Sequence, residues 1–282
     1  MTHPIMKNSL LLLAMVSIIP AISLLAQDHQ YATKSFAKPG AGIETPVQVI
    51  IIYDNTAYDS EMIPDWGFAC YIKGLGKNIM FDTGTKPEIF EKNFKHLNLD
   101  ASLIDEVFIS HEHGDHTGGL WSLLAMNPEI QVVVPHTFTQ QFITRVEQRG
   151  CKLATLDGPV EICPYLYSSG VLGSFIPEQA LVLNTSKGLV LMTGCSHPGI
   201  NEMIENVINT FGKKVYMVFG GFHLMQKSDD EMQTIIQKMK EMGVQKCGAT
   251  HCTGEHQIEL FKEAFGSNFV EMGAGKVIQI ND

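Results

Sequence analysis

Three histidines and one aspartate lie within six consecutive residues of the segment 108–120, FISHEHGDHTGGL. They are His111, His113, Asp115 and His116, and they directly follow an apolar stretch that is typical of a buried strand. Alternate residues of an extended segment point the same way, so His111 and His113 can share one metal ion. Asp115 and His116 lie beyond the turn and can face a second ion. Imidazole and carboxylate groups at this spacing suit zinc, iron or manganese.

Hydrophobic periodicity predicts the elements that must position these residues. Strands are predicted at VQVIIIYDNT, WGFACYIKGLGKNIMFDTG (two strands), IDEVFIS, IQVVVP, ALVLNTSKGLVLMTG (a hairpin), VYMVFGG, CGAT and KVIQI. Helical spacing is present in PEIFEKNFKHLNL, GGLWSLLAMN, INEMIENVINTFG, DDEMQTIIQKMKEMG and EHQIELFKEAFG. Residues 137–178 are predicted to be a helix with loops that roof a pocket. The order of elements predicts an α/β fold in which helices cover two β-rich halves, a four-layer αββα sandwich.

The amino-terminal residues are typical of a secretory signal peptide. A lysine precedes a long apolar run that ends at Ala26, where cleavage is plausible. A proline and several serines interrupt the run, which is short for a stable membrane span. We therefore predict a signal peptide over 1–26, a flexible leader over 27–45 and one domain over 46–282. On this interpretation the mature protein is periplasmic or secreted, and an uncleaved membrane anchor is the alternative.

Composition limits the classes of partner. The 282 residues are 45% hydrophobic, enough to bury a sizeable core, and the formal net charge is −10. An acidic balance argues against a nucleic-acid backbone as partner, so we expect a small-molecule substrate. Because the apolar run is short and interrupted, we also expect no stable membrane span after cleavage. The oligomeric state stays open. In an oxidising compartment Cys151 and Cys163 can pair across a short loop, and buried free thiols are the equally open alternative.

Taken together, these motifs resemble the metallo-β-lactamase fold superfamily of metal-dependent hydrolases. The resemblance extends from about Val47 to Ile280. It implies that His197, in TGCSHPG, completes the first metal site and that His251, in GATHCTGEH, completes the second. It also implies that Asp82, in FDTG, supports the metal-bearing loop through hydrogen bonds rather than by binding metal.

One departure from the family pattern concerns the aspartate that usually bridges the two metals. The corresponding strand here ends VFGGFHL and offers His223 instead of a carboxylate. A neutral imidazole has one free lone pair and cannot bridge two ions, so we expect the second metal to bind more loosely or to be held differently. His223 then ligates one metal, contacts substrate or is a core histidine. Cys195 and Cys252 lie beside the expected ligands. One interpretation is that they face the metals, and the preferred one is that they are small buried side chains, because His197 and His251 already fill those loops.

The motif order also resembles one branch of the superfamily, the archaeal dihydropteroate-synthase-like enzymes of methanopterin biosynthesis. These are the 7,8-dihydropterin-6-yl-methyl-4-(β-D-ribofuranosyl)aminobenzene 5'-phosphate synthases, which join a pterin methyl diphosphate to an aminobenzene phosphate. A pterin-pathway enzyme is not expected outside the cytoplasm. The resemblance therefore favours hydrolysis of a phosphoester, ester or amide-type small molecule by metal-activated water. A pterin-type transferase and a non-catalytic metal or ligand sensor are the alternatives.

The hydrolase interpretation assigns cofactor and roles. It expects one or two divalent ions, with zinc first and iron or manganese as alternatives. Asp115 is expected both to ligate a metal and to orient the nucleophile, while the metal stabilises the developing oxyanion.

Overall fold

The computed structural model describes residues 36–280 together with Met1. Apart from Met1, the predicted signal peptide at 1–26 lies outside the described residues and stays a prediction. Within residues 36–280, no helix is long and apolar enough to cross a bilayer.

Helices and strands alternate along the described chain much as the periodicity predicts. The strands are β1 (Val47–Tyr53), β2 (Ala69–Lys73), β3 (Ile79–Phe81), β4 (Glu106–Phe108), β5 (Gln131–Pro135), β6 (Leu153–Leu156), β7 (Val160–Cys163), β8 (Leu166–Ser168), β9 (Leu181–Thr185), β10 (Gly188–Thr193), β11 (Val215–Gly221), β12 (Lys246–Thr250) and β13 (Val277–Ile280). The α-helices are α1 (Pro87–His96), α2 (Gly114–Thr117), α3 (Leu120–Met126), α4 (Gln140–Glu147), α5 (Ile200–Phe211), α6 (Asp229–Glu241) and α7 (Glu255–Phe265). Short 3₁₀ turns lie at Ala101–Leu103, His251–Thr253 and Gly266–Asn268.

The strands form two sheets. The first has the order β13-β1-β2-β3-β4-β5-β6, and the second has the order β12-β11-β10-β9-β8-β7. Strands β3 to β6 are parallel to one another, as are β10 to β12. Each parallel stretch therefore directs several strand carboxyl ends to the same edge of its sheet, which is where ligands bind in folds of this kind.

Alternate residues of each strand pack into two different apolar cores, one between the sheets and one under the helices. In β1, Val49 and Ile51 belong to the apolar core between the sheets, while Ile50 and Ile52 belong to the core under α1, α3 and α4. The second sheet alternates in the same way and packs its outer face on α5, α6 and α7. Successive strand residues point to opposite faces of the sheet. A sheet that is buried on both faces therefore needs apolar residues at odd and at even positions of each strand. The predicted four-layer αββα sandwich is confirmed.

The prediction for residues 137–178 is wrong in part. The region contains the expected helix, α4, but also the strands β6, β7 and β8. Strand β6 extends the first sheet beyond β5, and β7 and β8 extend the second sheet beyond β9. These strands are three or four residues long, too short for a period-2 pattern to separate them from loop sequence.

The last residues of the predicted leader contact the domain. Phe36 packs edge-on against Phe211 with ring centroids 5.1 Å apart. Ile43 is buried, and its N–H donates to the carbonyl oxygen of Asn184 at 2.9 Å. The packed chain therefore begins before the predicted boundary at residue 46.

All six cysteines lie within the described residues, and all are buried free thiols. Cys151 belongs to the core outside the first sheet, whereas Cys163 belongs to the core between the sheets. The two thiols thus face different layers, which explains why they do not pair. Of the two alternatives for these residues, the structure contains the free thiols.

Candidate metal centre

Four strand ends converge on one edge of the sandwich. The histidine segment follows β4, His197 follows β10, His223 follows β11 and His251 follows β12. Because β10, β11 and β12 are parallel neighbours, three of these loops leave the second sheet side by side. The structure therefore brings the residues of separate sequence motifs to one place.

The imidazoles of three residues lie close together, and we call them the three-histidine group: His111, His113 and His197. His111 Nε2 lies 3.1 Å from His113 Nδ1 and 3.2 Å from His197 Nε2. A tetrahedral zinc ion with ordinary Zn–N distances separates its nitrogen ligands by about 3.3 Å. Burial, reinforced by neighbouring histidines, lowers the pKa of His197 to about 3 and lowers the pKa of His111 well below its usual value. The rings are therefore neutral, with lone pairs free to bind a cation.

The second set, Asp115, His116 and His251, we call the aspartate group. Asp115 Oδ2 lies 3.3 Å from His251 Nε2 and 3.8 Å from His116 Nε2. His251 Nε2 is buried and, despite that proximity, makes no hydrogen bond of acceptable geometry. A buried polar atom without a partner is unusual in a native fold, and a metal ion between these three side chains would satisfy it. The residues present therefore fit a divalent metal.

Asp115 stays ionised in this setting. Burial opposes ionisation, but the adjacent imidazoles of His251 and His116 outweigh it and hold the pKa of Asp115 below its usual range. The indole Nε1–H of Trp66 also donates to Asp115 Oδ2 at 2.8 Å. The side chain is thus suited to act as an anionic ligand or a proton acceptor rather than as an acid.

Asp82 holds the histidine segment through hydrogen bonds to Ser110 and His116. Its Oδ1 accepts from the backbone N–H of Ser110, and its Oδ2 accepts from the Ser110 hydroxyl and from His116 Nδ1, all at 2.7 Å. Burial disfavours charge on His116, but the carboxylate of Asp82 outweighs burial and raises the pKa of His116 to about 9. With Nδ1 held by Asp82, His116 presents Nε2 to the aspartate group. These contacts correspond to the supporting role predicted for Asp82.

Two further hydrogen bonds orient the other imidazoles. The Ser110 hydroxyl lies 2.9 Å from His111 Nδ1, and Asn55 Oδ1 lies 2.9 Å from His251 Nδ1. When a partner holds Nδ1–H, the tautomer is fixed and the lone pair of Nε2 faces the site. Asn55 was not singled out from the sequence, where it stands in an ordinary strand-to-turn segment.

We predict that Asp82→Asn weakens metal binding at the aspartate group by roughly 10- to 100-fold, the usual effect of losing an outer-shell partner. An amide cannot accept at both positions, so either Ser110 or His116 loses its acceptor. Asparagine tolerates the left-handed backbone at this position (φ 54°), so the substitution adds little strain. Calorimetric metal titration measures the change. The control is Asp157→Asn, whose side chain is 85% exposed; an unaltered titration in Asp82→Asn would argue against a supporting role.

Glu178 holds the loop that carries His197, and the sequence analysis missed it. One of its oxygens accepts from the backbone N–H groups of Gly194, Cys195 and Ser196 at 2.9–3.1 Å. The other accepts from the backbone N–H of His197 at 2.9 Å. Burial raises the pKa of Glu178, and the N–H donors of His197, Ser196 and Cys195 counter that effect. A single glutamate before a strand carries no sequence signal for such a role.

Cys195 is more than the small buried side chain that was expected. Its Sγ lies 3.1 Å from His116 Nε2. It also belongs to two clusters of potential ligand atoms, each with all atoms within 4.8 Å of one another. One cluster adds it to the aspartate group, and the other joins it to His111 and His197. Cys195 is thus buried, as the preferred interpretation has it, and its sulfur also lies close to both sets of expected ligands.

His223 lies at the mouth of the site. It is exposed, and its ring centroid is 4.5 Å from that of His197. A hydrogen bond with Cys252, against the opposing effect of burial, raises its pKa. The structure thus excludes the core-histidine alternative and leaves metal or substrate contact.

A cavity of about 520 Å³ opens beside the aspartate group. Its walls include Asn55, Trp66, Met225, His251 and Gln257. A larger cavity of about 730 Å³ lies across Thr250, but none of the expected metal ligands lines it. Trp66 is 45% exposed and stands 4.9 Å, centroid to centroid, from the His251 ring. The smaller cavity therefore offers an aromatic wall within reach of the candidate metal ligands.

Comparison with known proteins gives matches of different extent. A family model described as "Anti-Pycsar protein Apyc1" matches residues 69–142. A curated relative from Methanocaldococcus jannaschii, the 7,8-dihydropterin-6-methyl-4-(beta-D-ribofuranosyl)-aminobenzene-5'-phosphate synthase, is 30% identical over 275 residues. That match covers 80% of this chain and 94% of the relative.

Two solved structures are similar over most of the chain. Tm1679, described as a metal-dependent hydrolase of the beta-lactamase superfamily, matches with a TM-score of 0.71 and 27% identity, covering 84% of this chain and 100% of that one. The metallo-beta-lactamase fold protein YhfI from Bacillus subtilis matches with a TM-score of 0.63 and 17% identity, covering 83% of this chain and 100% of that one. The second likeness bears on the fold alone.

Proposed function

This chain belongs to the metallo-β-lactamase-fold family that includes the archaeal 7,8-dihydropterin-6-methyl-4-(β-D-ribofuranosyl)-aminobenzene-5'-phosphate synthase, and on that premise we propose that it is a metal-dependent hydrolase of small phosphoesters. The observation that carries the proposal is the meeting of the two ligand groups at one edge of the sandwich, where the buried His251 Nε2 has no hydrogen-bond partner. We propose zinc as the metal, because imidazole-rich sets with one carboxylate suit it.

The roles of the chain's own residues follow from their positions. A divalent metal, when bound, supplies Lewis acidity and lowers the pKa of water. His111, His113 and His197 would hold one ion, and Asp115, His116 and His251 the other. Asp115, ionised and oriented by Trp66, would align the attacking water as a proton acceptor. His223 contacts the substrate at the open side.

Phosphoesters are favoured over carboxylic esters and amides for two reasons. Adjacent divalent ions suit the attacking and leaving oxygens of a phosphoryl centre. The M. jannaschii relative is named for a 5'-phosphate product, so a phosphate group is handled within this family. The chain's acidic balance does not oppose an anionic substrate, because bound metal supplies the local positive charge.

A panel of chromogenic substrates tests the proposal. Zinc-loaded protein is expected to release 4-nitrophenol from bis(4-nitrophenyl) phosphate faster than from 4-nitrophenyl acetate, and to leave a 4-nitroanilide untouched. The phosphate and acetate esters share 4-nitrophenol as leaving group, so a difference between their rates reports on the phosphoryl or carbonyl centre that is attacked. Preference for the acetate would replace the phosphoester proposal with a carboxylic esterase, and absence of turnover on every substrate would favour a sensor.

Transfer is the second candidate function, and the 30% identity to the synthase supports it. In that case a pterin methyl diphosphate and an aminobenzene ribofuranosyl phosphate would join, with diphosphate as the leaving group. Mass spectrometry of a mixture of both substrates distinguishes the candidates. A joined product of summed mass less diphosphate indicates transfer, whereas phosphate or diphosphate released from one substrate alone indicates hydrolysis.

Trp66 is expected to bind the substrate's planar part. We predict that Trp66→Ala raises KM up to about tenfold, because an aromatic pair contributes about 0.5–1.5 kcal/mol beyond buried area. Trp66→Phe should keep much of this binding but lose the indole hydrogen bond to Asp115, so kcat falls more than KM rises. Steady-state kinetics gives both constants. Tyr165→Ala, an exposed aromatic at the far end of the second sheet, is the control; equal kinetics in wild type and Trp66→Ala would remove Trp66 from the substrate site.

A further inference from the structure

The end of β11 has no room for a bridging carboxylate. A Cβ built on Gly221 would lie 2.4 Å from the carbonyl oxygen of Gly194 and 2.7 Å from Cys252 Sγ. A Cβ on Gly220 would lie 2.1 Å from the carbonyl oxygen of Thr193, at a backbone φ of +123°. Distances below 3.0 Å are essentially never found for a real Cβ, so an aspartate at Gly220 or Gly221 would require the neighbouring backbone to shift.

The sulfur of Cys195 lies close to ligand atoms of both groups. It lies within 4.8 Å of the ligand atoms of Asp115, His116 and His251, and within the same limit of those of His111 and His197. The thiol is 2% exposed, and its backbone N–H is anchored on Glu178 at 2.9 Å. The position of the sulfur is therefore set by the fold and not by a mobile side chain.

Charge balance calls for an anion at that position. The three-histidine group is neutral, and the aspartate group contributes a single carboxylate. Two divalent ions would thus bring four positive charges against one negative charge, and their repulsion is large at short separation. Sulfur has more than one lone pair, and thiolate is a preferred zinc ligand.

We propose that Cys195 is a metal ligand shared by the two groups, a thiolate that takes the place of the bridging carboxylate. The inference rests on the proposed metal-dependent function. On binding, the S–H bond is broken, its proton passes to solvent, and the sulfur contacts both ions. The proposal replaces the expectation of a loosely held second metal with one of two ions bound at comparable affinity.

Cys252 is the rival ligand. With Cys195 and His223 it forms a third cluster whose potential ligand atoms lie within 4.8 Å of one another. It is, however, absent from both clusters that contain the expected histidine ligands. Cys252→Ser is therefore the matched comparison for Cys195→Ser.

Cobalt(II) titration of metal-free protein tests the proposal without measuring activity. Wild type should bind two equivalents and develop a thiolate-to-cobalt charge-transfer band in the near ultraviolet. Cys195→Ser should lose the band and bind its second equivalent at least about 100-fold more weakly, since losing a direct ligand costs no less than losing an outer-shell partner. Cys252→Ser should keep both. Circular dichroism checks that each variant is folded.

Each result bears on a separate claim. A band that persists in Cys195→Ser, or that disappears in Cys252→Ser alone, overturns the Cys195 proposal and leaves the metal-dependent function intact. A wild type that binds no cobalt overturns both. If Cys195→Ser does not fold, the wild type and Cys252→Ser decide. A charge-transfer band of equal intensity in both supports Cys195 as the ligand, and absence of the band from both contradicts the proposal.

Discussion

Replacing His111 with alanine is expected to remove metal from the three-histidine group and lower kcat/KM at least about a thousandfold. His111 Nε2 faces both His113 and His197, so its loss leaves two ligands where zinc needs at least three. The Lewis acidity that disappears with the ion contributes several kcal/mol, and about 1.4 kcal/mol corresponds to tenfold in rate. Metal analysis and phosphodiester kinetics on the same sample measure the two effects together.

His136→Ala is the matched control for this variant. His136 lies beyond β5, its side chain is 50% exposed, and it contacts Asp157 rather than any expected ligand. It should keep the metal content and rate of the wild type. If His111→Ala keeps both of them too, His111 is not a ligand and the three-histidine group must be abandoned.

Glu178→Gln is expected to lower the free energy of unfolding by about 2–3 kcal/mol, the range for hydrogen bonds to a buried charged group. The amide nitrogen would replace one oxygen and face an N–H donor, either that of His197 or those of the preceding three residues. The loop should then shift and carry the His197 ring away from His111. Urea unfolding of the metal-free protein isolates the stability effect, and cobalt titration measures the effect on the site.

The exposed Glu263→Gln on α7 controls for the loss of one negative charge. It should unfold at the urea concentration of the wild type. A midpoint in Glu178→Gln that equals those of wild type and control would show that Glu178 does not hold the loop. A lower midpoint with unchanged cobalt affinity would limit its role to stability.

The parts of the fold that the sequence predicts are those with a local pattern. The strand β1 and the hairpin β9–β10 are rich in apolar residues, and α5 carries apolar residues at helical spacing. The short strands β6, β7 and β8 owe their conformation to pairing with longer neighbours, which is a tertiary effect. No window of three or four residues contains that information.

The residues of the candidate site also separate into those with a local sequence pattern and those defined by tertiary contacts. His111, His113, Asp115 and His116 could be identified because one short segment carries all four of these potential ligands. The residues that were missed act through contacts between distant elements. Trp66 reaches Asp115 across 49 positions of sequence, and the separation between Asn55 and His251 is 196 positions.

Backbone conformation also escaped the sequence analysis. Asp82, Ser196, His223 and His251 all have positive φ, between 51° and 58°. Non-glycine residues rarely adopt this conformation, and it tends to occur at functional sites where the surrounding structure enforces it. Packing around the site therefore sets these angles, and residue type does not reveal them.

Returning metal to chelator-stripped protein while following hydrolysis of bis(4-nitrophenyl) phosphate tests the central claim most directly. We predict that the rate rises with added zinc and saturates at about two equivalents per chain, with no recovery in His111→Ala under the same titration. A rate that stays flat as metal is added, or that does not fall when metal is stripped, would contradict the proposal that this site is the catalytic centre of a metal-dependent hydrolase.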